Sequence, residues 1–242
     1  MLEEFADEWA NKWMFHYRWA RPVDRDSAAL KIVRMMKPGL DEPEAEITAM
    51  ADQIAERMVG RVWFVGSSEE TAGQIEEGFQ HAMGQLDDHL AERSYLLGER
   101  PSFGDFGLFG QIYNAITDPT PGALVGARYQ HVLAWAQRML WPCCDGEFEP
   151  WESLAPTLTP FLKDHVGARF LPWTVANQNA IVAGEESFSV ELAGQTWSQK
   201  PQKYHAKSLE TLRDRYAAIS DRKALDEILS SVDCLAAVVR PT

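Results

Sequence analysis

Residues able to do chemistry are sparse in this chain, and one cluster stands out. Trp13, His16, Tyr17, Arg18 and Trp19 follow one another closely. Together they bring two indoles, an imidazole, a phenol and a guanidinium to the end of one helix. Such a set can line a cleft for a hydrophobic molecule, and it can equally be core packing. A second set, Glu77, His81, Gln85 and His89, recurs every four residues along one helix edge. A zinc site needs three or four convergent ligands, and these spread over three turns, so a solvated face is expected and no metal. No GxSxG, GxGxxG or GxxxxGK(S/T) motif occurs, so the usual nucleophile-elbow, dinucleotide and P-loop chemistries lack support. The adjacent pair Cys143-Cys144 and the single Cys234 make no disulfide framework and no CxxC; reduced thiols are expected.

Composition narrows the partners. Thirty-six acidic against 23 basic residues leave a net charge of −13, which repels phosphate backbones, so no nucleic acid is expected. No apolar run reaches the length of a membrane span and the first residues lack a signal-peptide core. No membrane partner and a cytoplasmic location follow as expectations. A hydrophobic content of 45% is ample for a core.

The elements that would position these residues are helical. Leu2, Phe5, Trp9, Trp13 and His16/Tyr17 form one stripe, predicting a helix to about Trp19, with Pro22 as its exit and a loop over Lys31 to Asp41. Asp41 with Glu44 opens a second helix that ends at Gly66. Ser67 with Glu70 reads as a capping box for a helix bearing Ile75, Phe79, Met83, Leu86 and Leu90. Another helix is predicted from Ala123 to Leu140. Asp145 to Pro160 reads as a loop, Thr159 to Ala183 as a helix that Pro172 kinks or splits, and Phe188 to Gln199 as a small hairpin turning at Ala193-Gly194. Helices over Tyr204 to Ile219 and Leu225 to Leu235 close the chain. Residues 1–142 form a helical bundle on this reading, and 143–242 a helical extension carrying the hairpin and packed on it.

The stretch that organises the rest is Tyr95 to Gly110, YLLGERPSFGDFGLFG. Gly98 can stop a helix, Pro101 keeps the chain extended, and Ser102 with Asp105 forms a structural helix cap. Phe106, Phe109, Ile112, Tyr113 and Ile116 follow at helical spacing as the predicted inward face, and Gly104, Gly107 and Gly110 let a neighbour approach closely. This stretch resembles the pattern (Y/F)LxGxxPSxADFxLFG of the glutathione S-transferase C-terminal domain, with Gly104 where Ala is common. The fold expected is therefore all-α, a glutathione-transferase C-terminal-like bundle.

The resemblance implies a helical domain that lines a hydrophobic co-substrate pocket, walled by the first and central helices. By that analogy Trp13, His16, Tyr17 and Tyr113 are the pocket candidates. Glutathione is expected for a two-domain member of the family, whose thioredoxin-like domain holds and activates it. That domain has no counterpart in this sequence, so no catalytic position carries over and no cofactor is expected for this chain alone. The chain is then a fragment of a longer transferase-like protein, or it works without that domain. The partners implied are a second copy of itself, the missing domain, or a hydrophobic small molecule. The alternative is a non-catalytic interaction or ligand-binding module that uses the same helical fold.

Overall fold

Helices form wherever an apolar stripe can be buried, and their ends are set by a few residues with special backbone needs. The computed structural model describes residues 1–37 and 43–240. Helix α1 runs without a break through an α-helical turn Leu2–Phe5, a π-helical segment Ala6–Ala10 and an α-helical stretch Asn11–Ala20. Arg21 is extended, as the residue before a proline prefers to be. Pro22 then opens α2, Pro22–Met36, because a proline at the first helical position gives up only an N–H that has no helical partner. The expected exit at Pro22 is thus a helix start, and the expected loop from Lys31 is helical as far as Met36. Pro38, Gly39 and the expected cap at Asp41 lie outside the described residues.

Helix α3 spans Glu44–Val59, followed by a 3-10 turn Val62–Val65 that Gly66 ends in the left-handed conformation, φ 73°. Helix α4 covers Ala72–Leu90 and buries Ile75, Phe79, Met83, Leu86 and Leu90 as expected. Its entry differs from the Ser67/Glu70 box. Ser68 and Thr71 exchange hydrogen bonds instead, backbone N of each to the other's hydroxyl at 2.9 and 3.3 Å, and Ser67 is turned elsewhere.

Helix α5, Phe103–Ile116, carries the predicted cap in full. Its buried face is the predicted one only in part: Ile112 is buried as expected, and Phe109 and Ile116 pack against the core. Asp105, Leu108, Ile112 and Ala115 point inward, while Phe106 is 47% exposed and Phe109 and Tyr113 are half-buried. The reason is close approach to α1. A Cβ on Gly104 would stand 2.9 Å from Leu2 Cβ, and one on Gly107 would stand 3.0 Å from Ala6 Cβ. The helix therefore docks through its glycines and leaves Phe106 and Tyr113 off the fully buried face. The single helix expected from Ala123 is two, α6 Pro119–Arg128 and α7 Gln130–Arg138, parted at Tyr129.

The expected loop before Pro160 also ends early. Helix α8 is continuous through Trp151–Phe161, a π-helical segment Leu162–Phe170 and Leu171–Ala183. Pro156 and Pro160 lie inside it and forgo bonds to the carbonyls of Glu152 and Pro156; burial of Leu154, Leu158 and Phe161 outweighs that loss. Before Pro172 the chain widens into π-helical pairing instead of splitting. The strands β1 (Phe188–Leu192) and β2 (Gln195–Gln199) pair antiparallel, Val190 opposite Trp197, around Ala193 and Gly194 at positive φ. Helices α9 (Lys203–Ala217), α10 (Lys223–Ser231) and α11 (Leu235–Val238) complete the chain. The fold is all-α with one small hairpin.

The main core is aromatic. Phe5 packs edge-on against Trp13, Phe161 and Phe170 at 5.6–6.0 Å, and Trp173 and Trp197 close over Trp9. A smaller cluster of Trp19, Ala28, Ala29, Val33 and Ala51 joins α2 and α3.

Candidate functional site

The start of α1 borders an apolar cleft of about 720 Å³, within the range usual for small-molecule sites. Met1 and Leu2 form one wall, Phe106 and the entry to α5 a second, Leu158 and Leu162 of α8 a third, and Ile228 and Leu229 of α10 the last. The polar groups are few and lie at its border. Arg215 is held there by Glu3 and Glu4, Nη1 to carboxylate oxygens at 3.2 and 3.4 Å.

What fixes this cleft is the cap of α5. Asp105 is fully buried. Its Oδ2 accepts from Ser102 N and Ser102 Oγ at 2.8 and 2.7 Å, and its Oδ1 accepts from Leu96 N and Trp135 Nε1 at 2.8 and 3.0 Å. One carboxylate thus ties the loop before α5, the helix itself and α7. Ser102 and Gly104, which line the cleft, are set by it.

The other end of α1 is polar and closed. His16 Nδ1 lies 2.8 Å from Ser67 Oγ, and Nε2 lies 3.0 Å from Glu76 Oε1. Arg21 holds the same carboxylate, Nε to Oε1 at 2.9 Å and Nη2 to Oε2. Burial lowers the His16 pKa more than the Glu76 contact raises it, so the ring is neutral at pH 7. Nε2–H then donates to Glu76 and Nδ1 accepts from Ser67. Burial pushes Glu76 up, but the hydrogen bonds from Arg21 and His16 together hold its carboxyl below the ordinary value.

Serine, histidine and glutamate in this order resemble a base-activated hydroxyl. Two features stop it from acting as one. Ser67 is 5% exposed. The backbone N–H groups that could stabilise an oxyanion there are already spent, Gly66 N on Trp63 O at 3.0 Å and Ser67 N on Val62 O at 3.1 Å. The chain fastens α1 to α4 and the 3-10 turn.

The four pocket candidates fall as follows. Trp13 and Tyr17 are buried and both touch Phe79, at 5.8 and 5.2 Å between ring centroids. His16 belongs to the polar chain, and burial pushes the Tyr17 phenol up. Tyr113 is on α5, stacked on Phe109 at 5.0 Å. None of the four lines the apolar cleft. The expected solvated face on α4 also differs: His89 is fully buried, bonded to Thr157 Oγ1 at 2.7 Å and to Leu96 O at 2.8 Å. His81 stands 3.5 Å from Asp164. Among the described residues no group of three or more His, Cys, Asp or Glu could hold a metal ion.

Sequence reasoning missed a buried lysine. Lys12 Nζ has no hydrogen-bond partner and sits 3.7 Å from the Trp173 ring centroid, with the rings of Trp9 and Trp197 at 5.2 and 5.8 Å. Burial pushes its amine well below the usual lysine range. Trp9 three residues earlier was a visible hint; Trp173 and Trp197 come from distant parts of the chain.

Residues 40–138 match the family model of the glutathione S-transferase C-terminal domain. No curated protein and no solved structure matches the chain. The matched stretch contains α3 to α7, including the capped α5 whose carboxylate frames the cleft. No helix of the described residues is long and apolar enough to cross a membrane. The family likeness therefore lies in residues 40–138, and it is to the glutathione S-transferase C-terminal domain.

Proposed function

We propose that this chain is the helical part of a glutathione-transferase-like protein and binds a hydrophobic small molecule in the cleft between α1, α5, α8 and α10. The observation that carries this reading is the cleft itself, about 720 Å³ with almost wholly apolar walls. Such a site takes an apolar body and offers little to an anion. Glutathione is a charged tripeptide, and these walls do not suit it. Its activation and conjugation to an electrophile belong, on this reading, to a thioredoxin-like domain acting with this chain. A cytoplasmic location is part of the same proposal. On this reading Trp13 and Tyr17 pack in the core behind α1, His16 stays in its polar chain, Tyr113 lies further along α5, and none of them touches the occupant.

The test is a fluorescence titration with N-phenyl-1-naphthylamine, a neutral apolar probe. Saturable binding of one probe per chain is expected, weakened at least about tenfold by Ile228→Trp, which fills the cleft. Non-saturable uptake, or a variant that binds as wild type, overturns the reading. Calorimetric titration with reduced glutathione is expected to give no heat.

A second reading is favoured by Phe103, 78% exposed, with Phe106 and Phe148 beside it. Three exposed aromatic rings at one mouth suit an interaction module that meets another chain or a second copy. Sizing of the purified chain separates the two: a concentration-dependent dimer that Phe103→Ser returns to monomer supports the module.

A further inference from the structure

Cys143 and Cys144 are both exposed and adjacent, in the irregular segment after α7. We propose that they form a vicinal dithiol site that captures a trivalent arsenical as a two-sulfur chelate. Three observations lead there.

The first is backbone geometry. Neighbouring side chains diverge on a helix and point to opposite faces on a strand. The segment from Pro142 to Asp145 belongs to no helix and no strand, so no regular pairing holds the two side chains on opposite faces. The segment is nonetheless anchored. Cys143 N donates to Tyr95 Oη at 2.9 Å, Glu99 N to Glu147 O at 3.0 Å, and Glu149 N to Leu97 O at 2.8 Å. The pair is presented on a loop pinned at both ends.

The second is the charge around it. Asp145, Glu147 and Glu149 follow within five residues. They repel anionic thiol reagents and leave neutral ones free to approach. A trivalent arsenical is neutral at pH 7, since its arsenic carries hydroxyls that are weak acids. It is also soft and prefers sulfur. A disulfide between neighbours would have to draw the sulfurs to about 2 Å, whereas an arsenic atom between them lets them stand further apart.

The third is that the remaining thiol is closed off. Cys234 is fully buried, its Sγ is 3.3 Å from Val232 O, and burial pushes it up to about 12. The reaction at the pair balances without a redox partner. Each S–H gives its proton to a hydroxyl of R–As(OH)₂, two waters leave, and two As–S bonds form. Arsenic remains trivalent and neither sulfur is oxidised. Trp141, 89% exposed and two residues upstream, offers a face to an aryl substituent and a fluorescence signal.

The experiment uses the reduced full chain and phenylarsine oxide as the probe. One equivalent is expected to take the count of thiols reactive with 4,4'-dithiodipyridine, an uncharged reagent, from two to none and to quench tryptophan emission. The adduct should survive excess 2-mercaptoethanol and release with dithiothreitol. Cys143→Ser and Cys144→Ser each keep one reactive thiol and should lose retention at least about 100-fold, the scale of an intramolecular second bond. A wild type that takes two equivalents, or single variants that retain the probe as the wild type does, overturns the proposal. The serine variants keep the backbone contact to Tyr95, and unchanged circular dichroism checks that they fold.

Discussion

The two ends of α1 present opposite combinations of space and chemistry. At Met1 and Leu2 the helix borders a wide cleft with apolar walls. At His16 it meets Ser67, Glu76 and Arg21 in an unbroken hydrogen-bonded chain whose histidine and serine are buried and whose outer end, Arg21, reaches solvent. One end has room and few reactive groups, and the other has reactive groups and no room. The difference teaches that a Ser–His–Glu arrangement is not a site unless something can reach it, whereas an apolar cleft offers room to a ligand by shape alone. It also assigns roles to the buried polar groups: they hold the helices that frame the cleft.

The strongest way to break the comparison is to remove the group that frames the open end. Asp105→Ala strips the acceptor from Leu96 N, Ser102 N and Trp135 Nε1. Each buried donor left unpaired costs about 1–3 kcal/mol, so a loss of more than about 3 kcal/mol is expected in urea unfolding. Asp105→Asn retains an oxygen for Leu96 and Trp135 and should lose less. Equal losses in the two variants would mean that the charge, and not the hydrogen bonds, holds the cap.

Acid should act next, through the buried histidines. Burial lowers the pKa of His16, His89 and, well below the usual value, His165. Both ring nitrogens of His165 lack a hydrogen-bond partner, and its neighbours Arg169 and His81 add to the depression. A folded-state pKa below the unfolded one means that the unfolded chain takes up the proton first as pH falls. Stability is therefore full above about pH 6.5 and drops below it, by up to about 1.4 kcal/mol per pH unit for each such histidine. His165→Phe should flatten this acid slope between pH 6.5 and 5. An unchanged slope would show that His165 is not among the groups responsible.

How much of this was legible in the sequence depends on range. The Ser102–Asp105 cap is local, three residues apart, and its spacing identified it. The stripe on α4 was visible because large apolar residues mark it. On helix α5 the spacing gives Ile112 and the close approach at Gly104 and Gly107 correctly, but because those glycines carry the contact with α1, Phe106 and Tyr113 are left off the fully buried face. Pro22 looked like an exit because proline signals both an end and a start. The first turns of α8 looked like a loop because Pro156 and Pro160 weigh against helix, and only the burial of Leu158 and Phe161 reverses that. In the candidate site, His16 drew notice by residue type, but Ser67 and Glu76 lie 51 and 60 positions away. The cleft walls come from four separated helices, and no pattern within one helix encodes that meeting.

Filling the open end sharpens the comparison from the side of function. Ile228→Trp changes a half-buried cleft residue and not a packed core one, so stability should move by no more than about 0.5 kcal/mol. Binding of the apolar probe should fall by at least about tenfold, or about 1.4 kcal/mol. A large loss of stability with binding retained would reverse the assignment, making the cleft part of the core and the probe site elsewhere.

The smallest effect is expected at the closed end, and it tests whether the two ends are independent. Ser67→Ala removes one hydrogen bond, that to His16 Nδ1, and leaves Glu76 and Arg21 in place. Loss of a single buried hydrogen bond costs about 1 kcal/mol, measurable as a shift of the urea midpoint. If Ser67 only fastens the helix, the affinity for the apolar probe stays at the wild-type value, because the cleft is lined by the first turn of α1 and not by its last. A fall in affinity of more than about threefold would show that α1 transmits strain from His16 to Leu2. The π-helical segment Ala6–Ala10 between them would then be the place to look, since its looser pairing is where a helix can shift register.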